Sequence, residues 1–203
     1  MASFYTDKMA YIHVPKTGGT WLMQALEAVG IMYKVVAEGA ASHVHWNGMP
    51  PRPFRFGFVR YPPTWYLSYW SYVRHTEHPV SDNPLDTAVL ECDDFPTFVD
   101  AACSRLGGFL SAMYDVYLGP PGEIEFVGRY ENLRDDLITA LQLSGECAGW
   151  KAEDFDPIRE LAPVNVSSKS TNTITPDLEA RIVANEKRAM ERFYGASALT
   201  QAD

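Results

Sequence analysis

Two runs of residues in the N-terminal part of the chain have the types and spacing needed to bind an anion. In the first, an apolar segment from Tyr11 leads into the sequence Pro-Lys-Thr-Gly-Gly-Thr at positions 15–20. Glycines let backbone N–H groups approach an anion closely, a following helix adds the positive end of its dipole, and Lys16 adds a full charge. The run is not the common nucleotide loop, because the lysine precedes the glycines. An ordinary strand-to-helix turn, with glycines that serve packing, is the alternative.

In the second run, from Phe56 to Trp70, an apolar stretch ends at Arg60, and Ser68 follows eight residues later. A guanidinium fork and a neutral hydroxyl at this spacing can converge on one small dianion. An edge arginine and a helix serine that both face water are the alternative. The helix is too rich in aromatic residues to be solvated, so we expect these rings mostly in the core, with one ring lining a ligand pocket as the alternative. They are Trp65, Tyr66, Tyr69, Trp70 and Tyr72.

The elements that position these runs follow from apolar patterning and from glycine and proline punctuation. We predict strands at 9–14, 31–36, 54–60 and 124–128, and helices at 20–29, 62–74, 95–106, 131–143 and from Pro176 to a stop at Gly195. Thr175 is predicted to cap the last of these helices. Residues 39–53, 75–91 and 163–173 are predicted as loops or an excursion. Strands that alternate with helices indicate an α/β fold of three layers, with a mainly parallel central sheet flanked by helices. Ligands of such sheets bind at the carboxyl ends of the strands, where both runs fall.

The composition excludes several classes of protein. The 203 residues are 46% apolar and 21% charged, which predicts one folded domain over 1–203. A net charge of −9 argues against a nucleic-acid or anionic-membrane binder. Three scattered cysteines suit a reducing compartment. No stretch approaches the 18 consecutive apolar residues expected of a membrane-spanning helix. With no signal-peptide pattern at the start, we expect a cytoplasmic protein.

The charge is distributed unevenly along the chain. Residues 1–80 hold seven Lys/Arg and four acidic residues, a net of +3, so the remaining residues carry −12. A locally basic segment in an acidic protein suits a small anionic ligand, and chance clustering is the alternative.

The two runs resemble motifs of a known family, the sulfotransferases that use 3′-phosphoadenosine 5′-phosphosulfate (PAPS). The first run is similar to their 5′-phosphosulfate loop, which implies that Lys16 contacts the bridging oxygen and that Trp21 lies against the adenine. The loop residues implied to contact the donor are Pro15, Lys16, Thr17, Gly18, Gly19, Thr20 and Trp21. The second run is similar to their 3′-phosphate motif, in which Arg60 and Ser68 match the two phosphate ligands. Two positions depart from that motif. Tyr61 stands where members usually carry Asp, Asn or His, and Trp65 stands where many carry a second Arg.

The resemblance extends more weakly over residues 11–193. Residues 126–133 are similar to a strand-to-helix element of the family, with Glu131 in a structural role. Residues 165–169 resemble the loop that closes over the donor, which implies that Lys169 contacts the nucleotide. The implied fold is the P-loop-like sulfotransferase architecture. The implied activity is transfer of a sulfuryl group from PAPS to a hydroxyl or amine, with release of PAP and no required metal.

The acceptor needs a base, for which a histidine is suited. His43 and His45 are the leading candidates, since they precede the strand that ends at Arg60, with Glu38 as an acidic alternative, whereas His13 is expected in the core. Two other functions stay open: a small-molecule kinase with a variant phosphate loop, and a nucleotide-binding module that has lost catalysis. The acceptor is expected to be a small molecule or glycan, and a second subunit in a homodimer is one way to complete its site.

Overall fold

The computed structural model describes residues 2–36, 44–75, 82–164 and 173–195. In this part of the chain a five-stranded sheet has the order β3-β1-β2-β4-β5. The strands are β1 Phe4–Tyr5, β2 Met9–Ile12, β3 Lys34–Val35, β4 Phe54–Val59 and β5 Phe126–Arg129. β2, β4 and β5 pair in parallel, while β1 pairs antiparallel with both β2 and β3. The predicted α/β class and parallel centre are confirmed, and the sheet as a whole is mixed.

The antiparallel pairing at this edge was not predicted, because the two residues of β1 are too few to show a pattern. β1 has two residues and joins β2 through a tight turn, in which the Thr6 N–H donates to the Met9 carbonyl at 2.9 Å. The strand predicted over 31–36 is reduced to the exposed pair Lys34–Val35. One face of this segment has little to pack against, since Met32 is 85% exposed.

The helices follow the predicted pattern in the main. In the described ranges they are α1 Gly19–Ala28, α2 Pro62–His75, α3 Pro84–Glu91, α4 Phe95–Arg105, α5 Phe109–Leu118, α6 Leu133–Leu143, α7 Asp156–Glu160, α8 Pro176–Asn185 and α9 Lys187–Phe193. Short 3-10 helices lie at Trp46–Gly48, Tyr130–Asn132 and Ala152–Phe155. The predicted cap at Thr175 is confirmed, because its hydroxyl accepts the Leu178 N–H at 3.3 Å.

The helices differ from the prediction in three main respects, and the short α7 is a further helix that was not predicted. The excursion predicted over 75–91 contains α3, which Asn83 caps by accepting the Leu85 N–H at 3.0 Å. α5 was not predicted at all. The single C-terminal helix is two helices, α8 and α9, with the break at Glu186.

The chain divides into two compact units, and a single domain over 1–203 stays a prediction. The first unit comprises Met1–Arg60 and Tyr114–Val166, and the second comprises Tyr61–Met113 and Ser167–Asp203. α5 therefore belongs to the second unit up to Met113 and to the first from Tyr114.

Helices cover both faces of the sheet in the first unit. Phe56 and Phe58 of β4 lie in an apolar cluster with residues of α1, α6 and α7. Gly57, between them, faces the other way, where a Cβ would lie 2.6 Å from the Leu118 Cδ2 of α5. Alternate residues of a strand point to opposite faces, so this arrangement is compatible with the predicted three layers.

The core of the second unit is aromatic. Trp65 stacks on Tyr69 with ring centroids 4.9 Å apart, and Trp70 packs on Phe98 at 5.3 Å. Trp65, Tyr66, Tyr69 and Trp70 are all buried, which confirms the expectation that this set is mostly core. Tyr72 is the exception, with 46% of its surface exposed.

A buried carboxylate joins three helices of the second unit. Glu186 is fully buried and accepts the hydroxyl proton of Tyr66 at 2.7 Å. It also accepts the N–H of Leu110 at 3.2 Å and the N–H and hydroxyl of Ser111 at 2.8 and 2.7 Å. The Leu110 and Ser111 groups belong to the first turn of α5, where a negative charge is favourable. Glu186 thus lies at the junction of α8 and α9 and connects it to α2 and α5.

We expect Glu186→Ala to lower the free energy of unfolding by about 3–5 kcal/mol, because it leaves buried donors without their acceptor. Glu191→Ala is the matched control: Glu191 is exposed and lies 3.7 Å from Lys187, so its loss should change stability by less than about 0.5 kcal/mol. Urea denaturation of the two variants measures the difference. Equal stability of both variants would show that the buried carboxylate does not hold the second unit together.

Candidate functional site

The loop between β2 and α1 has the geometry of an anion-binding turn. Lys16 adopts a left-handed backbone conformation with φ of 66°, and Gly18 follows with φ of 90°. The buried Thr17 hydroxyl donates to the Val14 carbonyl at 2.8 Å and closes the turn. Gly18 is the N-cap of α1 but has no side chain to cap it, and the first-turn residues Gly19, Thr20 and Trp21 are uncharged. An anion is therefore suited to this helix end.

Gly18 is favoured by its conformation, and at both glycines an added Cβ would come close to a neighbouring side chain. A Cβ on Gly18 would lie 2.7 Å from the Leu133 Cδ2 and 3.1 Å from the Tyr130 ring. A Cβ on Gly19 would lie 2.5 Å from the imidazole of His13. His13 is only 2% exposed, as expected of a core residue. The His13 ring therefore packs directly against the first turn of α1.

Arg60 lies beside this loop. It follows the last residue of β4, the parallel neighbour of β2. Its guanidinium covers the face of Tyr130 at 4.1 Å and donates to the Lys16 carbonyl at 3.4 Å. Its backbone N–H and carbonyl are both bonded to the Tyr114 hydroxyl, at 2.9 and 2.8 Å. The structure thus brings together the cations of the two predicted runs.

The two cations affect one another electrostatically. Burial lowers the pKa of Lys16 to about 8, and the nearby positive charge of Arg60 contributes to that shift. Two like charges held close together cost free energy that an anion bound beside both would offset. A strongly shifted pKa of this kind is typical of functional sites.

His45 is placed near the same end of the sheet. The carbonyl of Val44, the residue before it, accepts the Ser3 hydroxyl at 3.4 Å, and the Ser3 oxygen accepts the N–H of His13 at 3.0 Å. Since His13 follows β2 directly, this chain of contacts ties the segment to the carboxyl end of that strand. The exposed His45 ring meets the ring of Tyr117 edge-to-face at 4.9 Å.

The other predicted site residues that the structure describes each have a place within their own unit. Trp21 is 5% exposed and lies in the apolar cluster of the first unit. Ser68 is buried on α2, in the second unit. Pro15 and Thr20 are partly exposed in the loop and at the start of α1. Glu38, His43 and Lys169 lie outside the described residues.

The departures from the family's second motif have clear positions in the second unit. The Tyr61 hydroxyl donates to the Glu179 carboxylate of α8 at 2.8 Å, and its ring meets that of Tyr194 at 5.7 Å. Trp65, at the position of a second arginine in many family members, is fully buried in the aromatic core. Both side chains are therefore used for packing.

Sequence reasoning missed two residues of the site, Tyr114 and Tyr130. Tyr114 lies on the helix that was not predicted, α5. Tyr130 directly follows β5, so its place at a strand end was the available signal. Both contact Arg60, one through its backbone and one through its guanidinium.

Two further properties concern the described residues alone. Their His, Cys, Asp and Glu side chains form no group of three that could hold a metal ion. Within these ranges every helix is too short or too polar to cross a bilayer.

Comparison of the chain with protein-family models, with curated proteins and with solved structures finds no match.

We expect Gly19→Ala to destabilise the protein by about 1–3 kcal/mol, because the added methyl group overlaps the His13 ring. Gly107→Ala is the control, since its Cβ would meet its nearest atom, the Asn185 Oδ1, at an ordinary 3.6 Å. Its effect should stay within about 0.5 kcal/mol. Thermal or urea unfolding measures both. Combining Gly19→Ala with His13→Ala should recover part of the loss, and purely additive effects would contradict the proposed contact.

Proposed function

We propose that this protein is a PAPS-dependent sulfotransferase, which transfers the sulfuryl group of PAPS to a hydroxyl or amine and releases PAP. The observation that carries the proposal is the contact between Arg60 and the Lys16 loop. Two runs that resemble the 3′-phosphate and 5′-phosphosulfate motifs of one family supply cations to one end of one sheet. A nucleotide with a phosphate at each end of its ribose matches two such anion sites.

The geometry of the loop supports a role in binding the 5′ end. The N-terminus of α1 and the conformations of Lys16 and Gly18 favour an anion near the backbone N–H groups. Arg60, held on Tyr130, supplies a guanidinium for the 3′-phosphate. Like charges in close proximity favour a ligand with several negative charges over a neutral one.

In the proposed reaction the acceptor oxygen or nitrogen attacks sulfur in line with the leaving oxygen. The new bond forms as the bond between sulfur and the 5′-phosphate oxygen breaks, and the acceptor proton passes to a base. Lys16 stabilises the negative charge that grows on the leaving oxygen, an effect larger in the transition state than in the ground state. His45 or His43 is the proposed base. The residues supply positioning and charge, which is most of what such a transfer needs.

The acceptor is proposed to be a small molecule or a glycan of low charge. Residues beyond the N-terminal 80 carry a net charge of −12, which disfavours a long polyanionic substrate. A cytoplasmic location and a homodimer are proposals that rest on the sequence alone.

Calorimetry with PAP tests the assignment and separates it from a kinase. PAP should bind without metal, and at a hundredfold excess over Kd it should raise the free energy of unfolding by about 2.7 kcal/mol. ATP with Mg²⁺ should bind more weakly. Tighter binding of ATP–Mg²⁺ would favour the kinase, and no PAP binding at millimolar ligand would refute the sulfotransferase. PAP binding without transfer from PAPS to any acceptor would favour the inactive module.

We expect Arg60→Ala to weaken PAP binding by about 1.5–3 kcal/mol, since a charged hydrogen bond to phosphate is lost. AMP has no 3′-phosphate, so its affinity should change much less. Comparing the two ligands by calorimetry isolates the 3′-phosphate. An equal loss for PAP and AMP would mean that Arg60 acts only through the Lys16 loop.

The lowered pKa of Lys16, about 8, predicts a pH dependence of binding. The ammonium form binds anions, and above this pH the free protein has lost that proton, so binding must restore it. PAP affinity should therefore fall as the pH rises through about 8, approaching tenfold per pH unit. In Arg60→Ala the decline should begin at higher pH, because a repulsive charge is gone.

Lys16→Arg is the control for this dependence. The guanidinium of the new arginine stays charged over this pH range, so the PAP affinity of the variant should not change with pH. Calorimetry between about pH 7 and pH 9.5 measures affinity and proton uptake together. A level profile for the unaltered protein would show that Lys16 does not titrate in the site.

A further inference from the structure

The side chain of Tyr114 is bonded to one residue twice. It is fully buried on α5, and its hydroxyl accepts the Arg60 N–H at 2.9 Å and donates to the Arg60 carbonyl at 2.8 Å. Burying a hydroxyl is costly unless it is hydrogen-bonded, and a phenylalanine would fill the same space without that cost. The tyrosine hydroxyl is therefore explained by what it does to Arg60.

These two bonds hold the backbone of Arg60 at the point where β4 ends. A side chain that leaves a doubly bonded backbone starts from a defined position, and the guanidinium ends on the Tyr130 face and at the Lys16 carbonyl. Tyr130 and Lys16 come from two other strand ends. Tyr114 thus connects α5 to the meeting point of the loop, β4 and β5 within the first unit.

We infer that Tyr114 is a positioning residue for Arg60: its hydroxyl fixes the guanidinium for the second, 3′ phosphate of the ligand. The inference rests on the proposed function and extends it to a residue outside both anion-binding runs. A structural role alone would require only that the hydroxyl satisfy the end of a strand. The two roles differ in what the variant does to ligand discrimination.

The test compares PAP with AMP in Tyr114→Phe by calorimetry. Loss of one or two buried hydrogen bonds that position a phosphate ligand should lower PAP affinity about threefold to thirtyfold. AMP affinity should change by less than about twofold, so the PAP-to-AMP ratio falls. In Arg60→Ala the same substitution should have no further effect on the ratio, because there is no guanidinium left to position.

Tyr66→Phe is the matched control, since it also removes a buried tyrosine hydroxyl, in that case the donor to Glu186 in the second unit. It should lower stability and leave the ratio unchanged. A second variant with 4-aminophenylalanine at position 114 keeps the ring and a polar atom that accepts poorly, so its ratio should lie between those of the tyrosine and phenylalanine proteins. The 4-aminophenylalanine variant replaces Tyr114→Phe in the test if Tyr114→Phe does not fold.

The outcomes are distinguishable. If the unaltered protein binds PAP more tightly than AMP and the position-114 variants keep that ratio, the inference is overturned while the proposed function stands. A ratio that falls equally in Tyr66→Phe overturns it too, since the effect is then one of general stability. If the unaltered protein binds no PAP, the proposed function fails and the inference with it.

Discussion

Lys16 and Arg60 are held beside one another at the carboxyl ends of neighbouring parallel strands, although their like charges repel. Burial and this repulsion together lower the pKa of Lys16 to about 8. The arrangement persists because other groups compensate: the Tyr130 ring accepts the guanidinium on its face, and the Lys16 carbonyl accepts one of its N–H groups. An anion bound beside both cations would offset the repulsion between them.

The rest of the first unit is arranged around that pair. The register of β2 against β4, with Ile12 opposite Gly57, determines that the chain leaves both strands at the same edge. His13 supports the first turn of α1 from below, so only glycine fits at position 19. Tyr114 fixes the backbone of Arg60 from α5. The pairing with β4, the packing of His13 and the bonds from Tyr114 thus restrict the backbone around the loop and at Arg60, and such restriction is what pre-organisation of a charged site requires.

The sequence predicted the parts of this site that depend on local pattern. Apolar runs followed by Lys16 with its glycines, and by Arg60, identified two strand ends, and Pro62 and Thr175 marked helix starts that the structure confirms. α5 was missed because its residues are apolar on nearly every side, so no periodicity separates it from a buried strand or loop. Glu186 was missed because a glutamate within an amphipathic segment is usually exposed, and its partner Tyr66 lies 120 positions away. The Tyr114–Arg60 bonds span 54 positions, and nothing local indicates such a contact.

The two departures from the resembled 3′-phosphate motif have a shared consequence for the proposed ligand site. Trp65 is committed to the aromatic core, and Tyr61 is committed to Glu179. Neither position offers the polar or cationic group that many members of that family carry there. Of the cations that this motif can carry, positions 60–68 of this chain keep Arg60 for the proposed second phosphate. A single guanidinium binds a dianion well only if it is already oriented, because its loss of side-chain freedom would otherwise oppose binding. The loss of a second cation therefore makes the contacts that orient the first, at Tyr114 and Tyr130, more important to this protein than they would be where two arginines share the charge.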